Sequence, residues 1–358
     1  MNIFLFWIPF LGTAFISIIL TPFVIRLAWK WKMVDDPKEH NHSKVVHTYP
    51  VPRGGGLVTS LAILISALIW LPHDSHLLGI SLALIIATIV GLADDKWNIS
   101  PYTRLIFNTI SALCIVAVGI GIAYISNPLS QTLFDLSSLK IPFQFGNWAG
   151  EIWLLSDIFA LIWLIGMMNI IGQGAGGIEG QLPGVVVIAA IVIAVLSLQF
   201  SADITQWPLI TLAAITAGAY LGFLPWNFFP QKIMPGYSGK STAGLMLGVL
   251  ALLSTTKVGV LLVCLGIPII DTIWTYSRRI WQGKMPFWGD RGHLHHRLLD
   301  AGLSKQKIVF LYWTLTAVLG FIALKINSQQ KLYTLITLSL LLGVLLFSLS
   351  YLKPTPKK

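Results

Sequence analysis

The chain has 358 residues, 55% of them hydrophobic and 11% charged, with a mean hydropathy of +0.77. A soluble domain carries about 25% charged residues, so this composition excludes one and points to a polytopic membrane protein. The net charge of +10 reads as the Lys and Arg excess of cytoplasmic loops rather than a nucleic-acid footprint, and Cys114 and Cys264, both in apolar stretches, exclude a disulfide or cysteine–zinc framework.

In chain order, hydropathy predicts apolar spans at roughly 3–26, 54–72, 78–93, 104–125, 152–168, 184–200, 207–224, 241–255, 258–276, 307–325 and 332–352. The first is longer than a signal-peptide core and no basic residue precedes it, so it reads as a retained span. The expected fold is an all-α polytopic bundle of about 10–11 transmembrane helices, a single integral membrane domain over 1–358 with no internal repeat. Alternate loops (29–53, 94–103, 169–183, 225–240, 277–306 and the tail) and their flanks hold 20 of the 24 Lys and Arg residues. The positive-inside bias therefore puts these loops in the cytoplasm and the N-terminus outside. Every polar, Gly-rich or His-rich segment falls in that same set. The spans themselves are nearly free of charge, apart from Asp157 and Asp271. A transporter would more often hold its polar residues at mid-span.

Five segments could carry chemistry. In "HTYPVPRGGGLVTS" (47–60), Arg53 and three glycines open the second span. Backbone N–H groups at a helix start attract anions and Arg53 could hold a phosphate, the plainer reading being a flexible loop with a snorkelling arginine. In "IVGLADDKWNIS" (89–100), Asp94 and Asp95 end the third span. Acids are unfavourable at a helix C-terminus, whereas a carboxylate pair can bind Mg²⁺ or take a proton from a nucleophile. "MNIIGQGAGGIEGQLPG" (168–184) could wrap a ligand and carries one acid, Glu179. "GYSGKST" (236–242) lacks the first glycine of a nucleotide-binding P-loop, Met234 standing there, so only a local phosphate contact through Lys240 and nearby N–H groups is expected. "PFWGDRGHLHHRLLDAGLS" (286–304) clusters His293, His295 and His296 with Asp290, Arg291 and Arg297. No further Cys or His completes a zinc site, and an anion-binding loop facing a diphosphate fits better.

The order of these segments resembles the polyprenyl-phosphate N-acetylhexosamine-1-phosphate transferases, from about Val34 to Leu303. The matching pieces are "VDDP" (34–37), "HTYPVPRGGG" (47–56), "GLADDKWNISPYTRL" (91–105), "GIPIIDTIW" (266–274) and "DRGHLHHRLLDAGLS" (290–304). The resemblance implies a multi-pass enzyme of the cell inner (plasma) membrane that starts cell-envelope polysaccharide synthesis. It would take a UDP-amino sugar and a polyprenyl (undecaprenyl) phosphate lipid, transfer the sugar 1-phosphate and release UMP, with Mg²⁺ as cofactor. Dimers are common in the family, so a homodimer is among the implied partners; nucleic acid is not. Carried over by position, Asp94 and Asp95 are the catalytic pair. Arg53, Glu179, Lys240, His293, His295, His296 and Arg297 are substrate-binding candidates, and Asp94, Asp95 and Asp271 are metal candidates.

Two departures accompany the resemblance. Where the family reads N-x-x-D-G-x-D-G-L this chain has "QGAGGIEGQ" (173–181), placing Gly176 and Glu179 at its two acids. Where the family reads F-M-G-D-x-G-S this chain has "IMPGYSGKS" (233–241), placing Tyr237 at a metal-binding acid and Lys240 at the serine. Three consequences are open: Mg²⁺ bound through a rearranged set of Asp94, Asp95, Glu179 or Asp271; metal partly replaced by Lys240; or a catalytically silent polyprenyl-phosphate-binding or scaffold protein.

Overall fold

The computed structural model describes residues 4–38, 46–130, 132–145, 148–200, 202–253, 257–286 and 290–351. The basic tail after 351 and part of the 29–53 loop, both used in the charge reading, lie outside these residues.

The chain begins with helix α1 (Phe4–Lys30), then a two-residue antiparallel pair, β1 (Val34–Asp35) and β2 (Val51–Pro52), in register Val34 to Pro52. Helices α2 (Gly55–Trp70), α3 (Ser75–Trp97) and α4 (Pro101–Val116) follow. Their boundaries are written in local chemistry. Asp74 and Ser100 cap α3 and α4 by accepting from the Leu77 and Thr103 N–H groups, and Pro101 occupies the first turn of α4, where its missing N–H costs nothing. Asn98, in the left-handed conformation (φ 48°), closes α3.

After α4 come two antiparallel hairpins, β3 (Tyr124–Ser126) with β4 (Leu133–Asp135) and β5 (Lys140–Phe145) with β6 (Trp148–Trp153). No strand was predicted here, because hydropathy sees spans and not short exposed strands. The bundle resumes with α5 (Leu154–Gly174), α6 (Gln181–Leu198), α7 (Trp207–Asn227) and α8 (Gly236–Leu252). Then follow α9 (Lys257–Cys264), α10 (Gly266–Trp281), the short α11 (Leu294–Asp300), α12 (Lys305–Ala323) and α13 (Ser328–Tyr351).

Every predicted span has a helical counterpart, and the molecule is an all-α multi-pass membrane protein. Among the described residues seven helices are long and apolar enough to cross a bilayer alone: α1, α3, α5, α6, α7, α12 and α13. The predicted span 258–276 is a pair, α9 and α10, bent by 78°. Gly266 and Pro268 sit at the break, where proline removes an N–H and its ring blocks the preceding turn. Helices α2 and α4 have only 16 residues each, about 24 Å at 1.5 Å per residue, somewhat less than a ~30 Å hydrocarbon core.

Helices α6, α7 and α8 form the buried centre, with few exposed positions, while α1 and α13 turn Phe, Leu, Ile and Val outward. A helix apolar all round with one face exposed is a lipid-facing span. Glycines allow the central helices to approach closely: Gly218 and Gly222 of α7 meet the α1 backbone at Phe10 and Ala14, and Gly244 of α8 meets α5 at Met167.

Because successive helices alternate in direction, the connections 31–54, 98–100, 175–180, 228–235 and 282–304 share one end of the bundle. The hairpins occupy the other.

Candidate active site

At the first of these ends lies a cavity of about 680 Å³. Its wall includes Arg53, Asp94, Asp95, Glu179, Lys240, His293, His295 and His296. Eight of the residues singled out from sequence, separated by up to 243 positions, therefore share one cavity. Arg297 and Asp271 do not line it.

The adjacent carboxylates Asp94 and Asp95 face different partners, as successive residues on a helix must. Asp95 points into the start of α8. It accepts from the Tyr237 N–H at 2.6 Å, the Ser238 hydroxyl at 2.6 Å and the Ser238 N–H at 3.3 Å. It is the anion that the α8 N-terminus holds. Gly236 makes this possible: its φ is +68°, and a Cβ there would collide with the Asp95 carboxylate. Asp94 instead faces Arg104, whose Nη1 lies 3.4 Å from both carboxylate oxygens. Arg104 also stacks over the Tyr237 ring at 4.8 Å, and the Tyr237 hydroxyl accepts from Asn108 at 3.0 Å. Arg104 and Tyr237 complete a wall, with Asn108 behind it, of which the sequence reading singled out none as a ligand. Arg104 and Asn108 are four apart on α4, so the helical period could have paired them.

Arg53 is fixed by Asp35 at 2.8 Å and by Asn98 at 3.2 Å, which ties the β1–β2 hairpin to the end of α3. Two of the glycines after it do not present N–H groups to an anion. Gly55 and Gly56 donate to the Met234 and Pro235 carbonyls, and Gly56 packs directly on Ser238 and Gly239. Their role is close packing of α2 on α8, which corrects the expectation of a backbone anion cradle at these two positions. The N–H groups beside Lys240 are likewise engaged: those of Tyr237 and Ser238 by Asp95, that of Gly239 by Pro235.

Glu179 is buried, with Oε1 accepting from Lys305 at 2.7 Å and Oε2 without a hydrogen-bond partner at the cavity wall. Such an atom is costly unless something polar meets it.

The histidine loop is held from behind. Asp271, fully buried on α10, accepts from the Leu294 N–H at 2.7 Å and pairs with His293 Nδ1 at 2.9 Å. Arg279, also fully buried, and Arg278 both bind Asp290. Burial alone would push the Asp290 carboxyl up. The Arg279 hydrogen bond, the Gly292 N–H and the charges of both guanidiniums bring it down to about 2. Arg297 donates to the Gly292 and Leu346 carbonyls, bracing the loop against α13 instead of facing the cavity. Asp271→Ala would leave the Leu294 N–H and His293 without an acceptor. A loss of about 3 kcal/mol is expected, read as a lower thermal unfolding midpoint.

His295 stacks parallel to His293 and presses on Gly177, where any Cβ would overlap its ring. Burial, then the neighbouring His296 and His293, then Lys240 and Arg291, hold its pKa well below 6.5. It is therefore neutral at pH 7 in the folded protein. The unfolded chain binds a proton more readily, so the stability His295 contributes is complete above pH 6.5 and lost as the pH falls below it. The slope is at most about 1.4 kcal/mol per pH unit. His295→Asn should flatten the unfolding midpoint's decline between about pH 6.5 and 5.

A divalent ion was expected on Asp94, Asp95 and Asp271. These acids do not converge: Asp271 lies behind the histidines and Asp95 under α8. Among the described residues no group of three or more His, Cys, Asp or Glu side chains is arranged to hold a metal ion. The donor set present does not match a magnesium site built from the chain's own carboxylates.

The fold and the cavity define a multi-pass membrane protein with an ionic pocket at one end of the bundle, lined by both cations and acids. Residues 77–255, half of the chain, match the pattern of glycosyl transferase family 4, and the chain belongs to that family. It is 26% identical over 328 residues to the probable undecaprenyl-phosphate N-acetylglucosaminyl 1-phosphate transferase of Bacillus subtilis, covering 90% of this chain and 85% of that one. It is 29% identical over 349 residues to the decaprenyl-phosphate N-acetylglucosaminephosphotransferase of Mycolicibacterium smegmatis (87% and 79% covered). It is 25% identical over 337 residues to the phospho-N-acetylmuramoyl-pentapeptide-transferase of Acetivibrio thermocellus (91% and 96% covered).

Proposed function

We propose that this protein transfers N-acetylhexosamine 1-phosphate from a UDP-sugar to a polyprenyl phosphate and releases UMP. The observation that carries the reading is the convergence of Arg53, Asp94, Arg104, Lys240 and the three histidines on one cavity at the end of a lipid-facing bundle. The names of the relatives support the same reaction class.

In this reading an oxygen of the lipid phosphate attacks the β-phosphorus of the UDP-sugar. The bond from that phosphorus to the oxygen bridging to the α-phosphorus breaks, and UMP leaves with the electron pair on that oxygen. Total charge is unchanged, so the site must hold two mutually repelling phosphate groups in line rather than neutralise a new charge. Arg53, Arg104 and Lys240 supply cations on separate walls, two of them already oriented by Asp35 and Asp94. A lipid phosphate arriving as the monoanion must lose a proton, and Asp94 is the wall carboxylate able to accept it. Asp95 positions α8, and with it Tyr237 and Lys240. Glu179 Oε2 can accept from a hydroxyl or amide N–H of the sugar nucleotide.

The basic-residue bias supports a cytoplasmic cavity, where nucleotide sugars are found. The test is UMP release by the protein in lipid nanodiscs. UMP that requires both undecaprenyl phosphate and one UDP-N-acetylhexosamine is expected; lipid-independent release would overturn the reading. The second reading, a silent lipid-phosphate binder, is favoured only by Gly176 and Tyr237, and predicts lipid binding without UMP.

A further inference from the structure

Resting on that reaction class, we propose that Lys240, held in a groove between Gly172 and Gly176, supplies the positive charge at the diphosphate in place of a carboxylate-bound divalent cation.

Three observations carry this. First, most acids near the cavity are engaged by the protein itself. Both oxygens of Asp95 serve the α8 N-terminus, both oxygens of Asp271 serve the histidine loop, and Glu179 Oε1 holds Lys305. Asp35, also on the wall, pairs with Arg53 through Oδ2. The other wall acids are Asp94, loosely faced by Arg104, and Glu179 through its second oxygen. Magnesium there would take most of its octahedral ligands from water and phosphate, so the chain by itself would hold it weakly.

Second, the lysine stem is cradled. A Cβ built on Gly172 would stand 2.7 Å from Lys240 Cβ, and one built on Gly176 would meet the Gly172 carbonyl oxygen at 2.4 Å and Lys240 Cε at 2.7 Å. Any side chain at 176 would press on both the α5 backbone and the end of the lysine. A carboxylate at 176 and the observed path of Lys240 exclude each other, so the glycine and the lysine form one coupled arrangement. The Gly176 that looked like a lost ligand is the floor of the lysine's groove.

Third, Lys240 lines the same cavity as Asp94, on the carboxylate side, and His293, His295 and His296, on the histidine side. Its ammonium is therefore within the space that a bound diphosphate would occupy. It is a compact charge with three N–H donors, and its packed stem limits its freedom.

The experiment uses the full chain in nanodiscs, with UDP-N-acetylglucosamine and Mn²⁺ as probes. Calorimetry measures nucleotide-sugar affinity in excess EDTA and in Mg²⁺, and electron paramagnetic resonance measures Mn²⁺ uptake with and without the nucleotide sugar. Wild-type affinity is expected to change less than about 3-fold on EDTA treatment, with no Mn²⁺ held by the protein beyond empty nanodiscs. Lys240→Met, which keeps the stem, should weaken binding by about 30-fold in EDTA. One Mn²⁺ held per chain, or wild-type binding lost in EDTA, would overturn the proposal. Gly176→Ala is the second variant: it should shift the lysine and reproduce the Lys240→Met defect, and full affinity would count against the groove. If no nucleotide sugar binds under any condition, the reaction class fails, while the Mn²⁺ measurement still decides whether the chain holds a metal.

Discussion

Replacing Asp95 with alanine should unfold the site rather than silence it. Three hydrogen bonds to one buried carboxylate would vanish, leaving the Tyr237 and Ser238 N–H groups unpaired at the start of a helix whose dipole had been matched by that charge. Unpaired buried donors to a lost charge cost about 3–5 kcal/mol. At this size that corresponds to a fall of roughly 5–10 °C in the thermal midpoint. Gly236→Ala should behave similarly, since its Cβ would strike the same carboxylate and its φ of +68° disfavours a side chain. Tryptophan fluorescence during heating reads both. An Asp95→Ala protein with an unchanged midpoint and no activity would instead make Asp95 a participant in the chemistry.

Asp94→Asn should do the reverse. The amide matches the carboxylate in volume, and the interaction lost is a long one with a partly exposed Arg104. Although Asp94 is buried, the amide keeps an oxygen for Arg104, so the cost should stay at about 1 kcal/mol and the midpoint should move by no more than about 2 °C. UMP release should nevertheless fall by about 10²- to 10⁴-fold, the usual range for removing a general base. Retention of more than a tenth of the activity would remove Asp94 from the mechanism. The two neighbours thus separate cleanly: one acts on stability, the other on rate.

Much of this was legible in the residues. Apolar runs located the long helices, though not α11 or the break between α9 and α10, because a bilayer imposes length and hydropathy on its spans directly. Arg53, Asp94, Glu179, Lys240, His293, His295 and His296 were identifiable as polar residues gathered at one end of otherwise apolar spans. What escaped was tertiary. Nothing local distinguishes Asp94 from Asp95; only the approach of α8, permitted by Gly91 and Gly236, assigns their different partners. The triple glycine at 54–56 suggested an anion cradle, but the Gly55 and Gly56 N–H groups meet Met234 and Pro235, some 180 residues on. Arg297 and Asp271 belong to the cluster's motifs yet serve its scaffold, because loop and helix direction turn them away from the cavity. Gly176 read as an absence until Lys240 was found lying across it.

The most direct test follows the fate of the β-phosphorus. The protein in nanodiscs with undecaprenyl phosphate would be given UDP-N-acetylhexosamine labelled with ³²P at the β-phosphate, and lipid and aqueous fractions would be counted separately. Sugar 1-phosphate transfer predicts that the label enters the lipid, as an undecaprenyl diphosphate sugar, in equal amount to the unlabelled UMP released. Label remaining in the aqueous fraction while lipid phosphate is bound, or sugar entering the lipid without the label, would contradict it.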